Sequence, residues 1–512
     1  MVVTTNETGP TLRGRAGYQV RAAVAVVLIA AADWLFFDQP LGISIAVFAV
    51  LLAACALVAN PMVVPAWRIG LSTGVLLVCQ LPVIEDCNML STLFSILGVT
   101  LFARFVVAEL PSRLAGKLLE AALQLVPGVI REFEALEASG KIAPPPPALP
   151  QPASPLMRSM AVWIVPLLLG GFFVGLFAIA NPLLENLFQV IDLRAALKAL
   201  GDLFSPLRLL FWFATFVATW SFVAIYVPSK SAPMAPPPPV TAELEGPANL
   251  MFNEASITRS LMVFNVIFAV QTASDLSFLW TGVALPHGMS YADYAHRGVA
   301  PLMVAALLAG AFVLVTMRPG GAAERSHLMR ALVFTWIAQT VLLVLSSILR
   351  LDLYVSVYSL TVLRVAAFVW MGLIAGGLAL IIARIAMRWS NAWLIDANLA
   401  LVLVTLYACC FVNVPDLIAT YNIAHASQPA DATTQCRNVD LRYLGSLGPQ
   451  VLPAIDALRT EKMKICDADD PSLVQPSRWQ MINEHVSRMA NWRAWSFRGW
   501  QLSKYLDAHA YD

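Results

Sequence analysis

The chain has 512 residues, of which 59% are hydrophobic and only 13% charged, and its mean hydropathy is +0.71. Soluble domains carry roughly 25% charged residues, so this composition excludes an ordinary soluble globular protein and points to a membrane protein. A net charge of +1 gives no electrostatic basis for a nucleic-acid partner.

A membrane-crossing helix needs about 20 mostly apolar residues. Eleven runs are candidates, at roughly 20–37, 41–59, 69–84, 90–108, 161–180, 207–227, 257–280, 300–316, 328–348, 361–384 and 393–414. Arg13, Arg15 and Arg21 precede the first run, but no small-residue cleavage site follows, so it reads as a transmembrane helix rather than a secretory signal. Proline-rich stretches around Pro144–Pro155 and Pro228–Pro247 read as extended linkers. Leu114, Leu118, Leu119, Leu125 and Val126 recur at helical spacing, as do Leu184, Leu187, Phe188, Ile191, Leu200 and Leu203. Both sets fit amphipathic helices at a membrane surface or a bundle end.

The expected fold is an all-α polytopic membrane protein, with about 11 transmembrane helices and a small helical C-terminal extramembrane domain. Residues 1–111 form a four-helix N-terminal membrane group, and 112–158 a cytoplasmic amphipathic helix with its linker. Residues 159–228 form a membrane hairpin with an outer interfacial helix, and 229–255 a second cytoplasmic linker. A five-helix membrane group at 256–424 precedes the extracytoplasmic helical domain at 425–512. In that last domain Pro449 and Pro453 suit helix starts, and Leu452, Ile455 and Leu458 repeat at helical spacing. Met481, His485, Met489, Trp492, Trp495 and Trp500 mark one final amphipathic helix.

Cytoplasmic loops are enriched in Lys and Arg. With the N-terminus cytoplasmic, the inner side receives about 17 of these residues and the outer short loops about 6. An odd number of spans then places the C-terminus outside. Cys436 and Cys466 can pair there if that side is oxidising. Cys55, Cys79, Cys409 and Cys410 lie in apolar runs, where cysteine behaves as a small hydrophobe. No His/Cys spacing suits a metal.

An ionisable group inside a span is costly and calls for a partner or a purpose. Asp275 ends the seventh span, one turn after Gln271, and is followed by Tyr291, Asp293, Tyr294, His296 and Arg297. Arg350, Tyr354 and Tyr358 follow the ninth span at helical spacing. Arg364 opens the tenth, placed to neutralise Asp275 or Asp293, and Tyr421 and Asn422 follow the eleventh. In the topology above all twelve lie on the outer side. They are candidate ligand-binding residues of a polar pocket roofed by the C-terminal domain. The competing reading is a set of salt bridges and interfacial aromatics that lock helix ends together.

No P-loop, G-x-S-x-G or H-E-x-x-H motif occurs, and no catalytic residue, metal ligand or cofactor is assigned. Asp293 and His296 are the only acid–base neighbours for an envelope enzyme. Asn265, Gln271, Gln339 and Asn398 are sparse for a transport path, and no Gly or Pro break is obvious within a span. The expected function is therefore binding, sensing or assembly at the outer face, with transport of a small molecule or lipid next and an envelope-modifying enzyme third. Expected partners are the lipid bilayer, and proteins that dock on the proline-rich linkers or the C-terminal domain.

The strings Tyr291-Ala-Asp-Tyr-Ala-His-Arg-Gly298, Arg350 to Arg364, Trp393-Leu-Ile395 and Ile418-Ala-Thr-Tyr-Asn-Ile423 resemble a bacterial membrane family known as domain of unknown function 4173. Weaker likeness covers Asp33–Gly42 and Val439–Leu444, and the whole spans roughly residues 30 to 460. The resemblance implies a multi-helix protein of the bacterial inner membrane with a helical C-terminal extension. It implies no reaction and no cofactor.

Overall fold

A computed structural model describes residues 13–60, 65–107, 205–223, 254–277, 308, 326–426, 436–437, 439–460, 464–465 and 475–509. The architecture is helical, as an apolar chain without β alternation requires. In lipid each backbone N–H and C=O must be satisfied within its own segment, and a helix does that without help.

Helices α1 (Arg13–Phe36), α2 (Ile43–Ala59), α3 (Ala66–Glu85) and α4 (Met89–Val107) come first. They are followed by α5 (Pro206–Val223), α6 (Glu254–Asp275), α7 (His327–Tyr358), α8 (Val362–Met387) and α9 (Asn391–Cys409). Eight of these contain a stretch long and apolar enough to cross a membrane, and α2 is a shorter apolar helix of 17 residues. Nine of the eleven expected spans thus coincide with described helices. The run at 161–180, the run at 300–316 apart from Leu308, and the two expected interfacial helices lie outside the described residues.

One expected boundary moves. The ninth span does not end near residue 348: α7, 32 residues long from His327, continues to Tyr358. At 1.5 Å per residue it is about 48 Å long, against a hydrocarbon layer of about 30 Å. Leu351 and Val355 are buried beyond the expected end, so packing carries the helix past the apolar run.

The chain divides into two compact units, with the division falling inside α2. In the first unit α1 and α5 are antiparallel neighbours tied at both ends. At one end Asp33 accepts Arg208 Nε at 2.7 Å and Trp212 Nε1 at 2.8 Å. At the other, Asn60 Nδ2 donates to the Val223 carbonyl at 2.9 Å, and Arg21 reaches Asn60 Oδ1 at 3.4 Å.

In the second unit α3 and α4 form a hairpin. Ser95 donates to Gln80 Oε1 at 2.6 Å in its buried interface, and Gly98 lets the helices approach. Helices α6 and α7 run parallel, since Asn265 pairs with the Leu332 carbonyl and Asp275, further along, pairs with Arg350. Helices α8 and α9 pack through Gly376 and Gly377 against Leu401 and Asn398.

After Cys409 the chain leaves the long helices. Helix α10 (Val414–Ala424), capped by Asn413, leads to α11 (Leu441–Ser446), a 3-10 turn at Pro449–Val451 and α12 (Leu452–Thr460). Leu452, Ile455 and Leu458 are buried as their spacing predicts. A minimal parallel ladder joins β1 (Cys436–Arg437) to β2 (Lys464–Ile465), and Cys466 lies outside the described residues. The expected single last helix is two, α13 (Gln475–Met489) and α14 (Phe497–Ala508). Asn491 caps the intervening 3-10 turn Trp492–Ala494, and Ser496 caps α14 by accepting the Gly499 amide. Two successive N-caps start a 3-10 turn and then a new helix where hydrophobic spacing alone suggests continuity.

A methyl group at Gly98 would stand 2.5 Å from Cys79 Cβ, whereas one at Gly74 would meet nothing within 4 Å. Gly98→Ala is therefore expected to destabilise the α3–α4 hairpin by about 1–3 kcal/mol. Gly74→Ala should be neutral or stabilising by up to about 1 kcal/mol. Thermal unfolding of the detergent-solubilised chain checks both.

Candidate functional site: one shared end of the second unit

Polar residues of the second unit gather where several helices end. Asp275 is the last residue of α6, where the helix dipole is negative and an isolated carboxylate is disfavoured. It is 1% exposed and forms an ion pair with Arg350 of α7, itself 4% exposed. Gln271 Nε2 donates to the same carboxylate at 2.8 Å from one turn below. The arginine thus answers both a buried anion and a helix C-terminus.

Arg364 does not neutralise Asp275. Its guanidinium donates to the carbonyls of Tyr358, at 2.6 Å, and Ser359, and lies 4.3 Å over the Tyr354 ring. It serves the end of α7, whose last carbonyls have no partner within the helix. Arg350 is placed inside the α6–α7 contact, while Arg364 opens α8 beyond it. Tyr354 and Tyr358 are one helical turn apart, with ring centroids at 5.0 Å, as their spacing predicts.

The α7–α8 turn is held from outside as well. Asn422 of α10 accepts the Leu360 amide at 2.6 Å and donates to the Leu360 carbonyl at 3.0 Å. Tyr443 Oη of α11 accepts the Val362 amide at 3.0 Å. Ser359 adopts φ +66°, a left-handed conformation that a side chain disfavours and that these contacts hold. Tyr421, beside Asn422, stacks on His425 at 4.1 Å.

Seven of the twelve expected residues are thereby placed. Asp275 and Arg350 meet in one buried pair; Tyr354, Tyr358 and Arg364 form a second group; Asn422 grips the turn, and Tyr421 stacks beside it. Tyr291, Asp293, Tyr294, His296 and Arg297 lie outside the described residues. Among the described residues no group of three or more His, Cys, Asp or Glu could hold a metal ion.

Sequence reasoning missed Arg498. This buried arginine of α14 reaches Glu85 at 3.4 Å, Asp86 at 3.5 Å and the Cys410 carbonyl at 3.3 Å. It joins the C-terminal region to the ends of α3 and α9 across more than 400 residues of sequence in the first two cases. The adjacent acids Glu85 and Asp86 at the end of an apolar run were the one visible sign that a cation should arrive. Nearby, the Ile43 amide donates to the Trp495 carbonyl at 2.9 Å. Gly42 permits this approach, since a Cβ there would be 2.4 Å from the Ala494 backbone.

The buried residues of α6–α10 and those of the C-terminal helices form one continuous hydrophobic core. Within it His485 Nε2 lies 2.9 Å from Ser503 Oγ. Burial, and secondarily the nearby Arg488 charge, hold the His485 imidazole below its ordinary pKa. Protonation is then disfavoured in the folded state, so the neutral ring's contribution is complete above about pH 6.5 and lost as pH falls below that value. The wild-type chain is expected to lose thermal stability from pH 7 toward pH 5, and His485→Gln to flatten that slope.

The family described as a domain of unknown function (DUF4153) matches residues 22–458. This is a different family number from the 4173 expected from the sequence strings, with nearly the same extent. No curated protein and no solved structure matches the chain.

Proposed function

We propose, for a chain that belongs to the family with this domain of unknown function (DUF4153), a binding and assembly role at the outer face of the bacterial inner membrane. The supporting observation is the fixed connection between helix ends and C-terminal domain. Arg498 is buried among the ends of α3 and α9, Asn422 and Tyr443 grip the α7–α8 turn, and one hydrophobic core runs through both parts. Such a domain presents a rigid platform to a partner or ligand. A transporter that alternates its access needs helix ends that separate.

Topology is part of the proposal. With the N-terminus cytoplasmic, the start of α2, the ends of α3, α6, α7 and α9, and the starts of α4 and α8 all fall on the periplasmic side. The contacts of Arg498, Asn422, Tyr443 and Trp495 tie the C-terminal domain to that same set of ends. These contacts support placing the C-terminal domain on the same side as those helix ends.

A second reading rests on the Asp275–Arg350 pair, because ionisable groups within a membrane bundle commonly mark transport paths. Replacing both partners distinguishes the two. A buried ion pair exchanged for apolar residues of similar volume is often neutral, whereas loss of one partner costs about 3–5 kcal/mol. Arg350→Ala is expected to destabilise strongly, and the double variant Asp275→Leu with Arg350→Met to restore stability and full complementation of a deletion strain. A stable double variant that fails to complement would favour transport. For the platform itself, Arg498→Glu should leave membrane insertion intact while abolishing complementation and releasing any protein that co-purifies with the wild type. A chain that isolates alone and moves solute in proteoliposomes would refute the assembly role.

A further inference from the structure

Helix α14 carries apolar residues on two faces. Gly499 and Leu502, with Arg498, are buried against the rest of the second unit. On the other side Phe497, Trp500 and Lys504 follow one another at spacings of three and four residues. Phe497 is 39% exposed and Trp500 43%, and Trp492 in the preceding 3-10 turn is 46% exposed. Phe497 and Trp500 stack with centroids 5.7 Å apart. The Arg493 guanidinium lies 5.3 Å from the Trp492 centroid and the Lys504 ammonium 5.5 Å from that of Trp500. Aromatic rings uncovered in this way on a water-facing surface would be an unfavourable patch.

Their level relative to the long helices gives them a place. Trp495 is hydrogen-bonded to the start of α2, and Arg498 to the ends of α3 and α9. Residues 492–504 therefore lie at the depth where apolar helices begin and end, which in a bilayer is the boundary between acyl chains and headgroups. Tryptophan is enriched at that boundary, with its ring amphipathic between the two layers. Charge points the same way. From 475 to 508 the sequence has five Arg and Lys against Glu484 and Asp507 alone, and two of the cations lie directly over exposed rings.

We propose that Trp492, Arg493, Phe497, Trp500 and Lys504 form an interfacial lipid site, which seats anionic phospholipid headgroups of the bilayer that the helices cross. The rings enter the acyl boundary, while Arg493 and Lys504 meet the phosphates from above. The site couples the C-terminal domain to the membrane surface as well as to the helix ends. It rests on the reading that the long helices cross a bilayer, and not on which side the domain occupies.

The test uses the full-length chain in nanodiscs of phosphatidylcholine doped with phosphatidylglycerol. Tryptophan emission is compared between wild type and Trp492→Phe/Trp500→Phe, with acyl-brominated lipid or aqueous acrylamide as quencher. The emission lost in the variant is expected to be the part quenched by brominated lipid. Quenching of it by acrylamide alone would put the edge in water, and by neither reagent would put it under a protein partner; both overturn the proposal. Trp34 and Trp67, exposed on α1 and α3, remain in every variant. Loss of their lipid quenching would mark failure of the membrane reading separately. Retention of phosphatidylglycerol, read by native mass spectrometry, should fall roughly fivefold for each charge removed in Arg493→Gln and Lys504→Gln, from about 1 kcal/mol per basic residue. Equal retention of both lipids in wild type and variants would refute the preference for anionic headgroups.

Discussion

A charge removed from water has to be answered by another group of the same chain, and the described structure is arranged around three such answers. Asp33 meets Arg208 and Trp212, Asp275 meets Arg350 and Gln271, and Arg498 meets Glu85 and Asp86. Each involves a helix end, and each joins elements far apart in sequence. Apolar contact alone cannot fix how deep one lipid-facing helix sits against another, because the lipid tails are as apolar as the partner. A directional ion pair with hydrogen bonds can. The pairs act less as sources of net stability than as registers that decide which turn of one helix faces which turn of its neighbour.

The second unit extends that logic into the chain that follows α9. Helix α7 continues well past its apolar run, and the turn that follows is gripped by α10 and α11 through Asn422 and Tyr443. Val439, Leu444, Val451, Leu452 and Leu502 complete one core with Leu351, Val355 and Met371. The C-terminal helices are thus continuous with the bundle and not a separate domain on a tether. This continuity supports a platform over a moving gate. It also sets the depth of the aromatic edge of α14.

Where the sequence could be read and where it could not has a consistent physical cause. Arg350, Tyr354 and Tyr358 were legible as one face, since periodicity is a property of the chain itself. Leu452, Ile455 and Leu458 were legible for the same reason. Arg364 was expected to neutralise Asp275 or Asp293; two arginines fourteen residues apart offer the same charge, only the α6–α7 contact gives Asp275 to Arg350, and Asp293 lies outside the described residues. Arg498 left almost no trace, for its acidic partners lie more than 400 positions away. The break between α13 and α14 was hidden because hydrophobic spacing persists across it, while the Asn491 and Ser496 caps depend on backbone geometry.

Composition and periodicity by themselves determined an all-helical membrane protein, most of its span positions and the amphipathic character of its C-terminal region. Those properties follow from how a residue partitions between lipid and water, which each segment decides locally. Tertiary structure alone decided which charges pair, how far α7 extends, and that the C-terminal helices share a core with the bundle. These outcomes depend on depth, register and distance between segments remote in sequence, and nothing in a local window of residues encodes them.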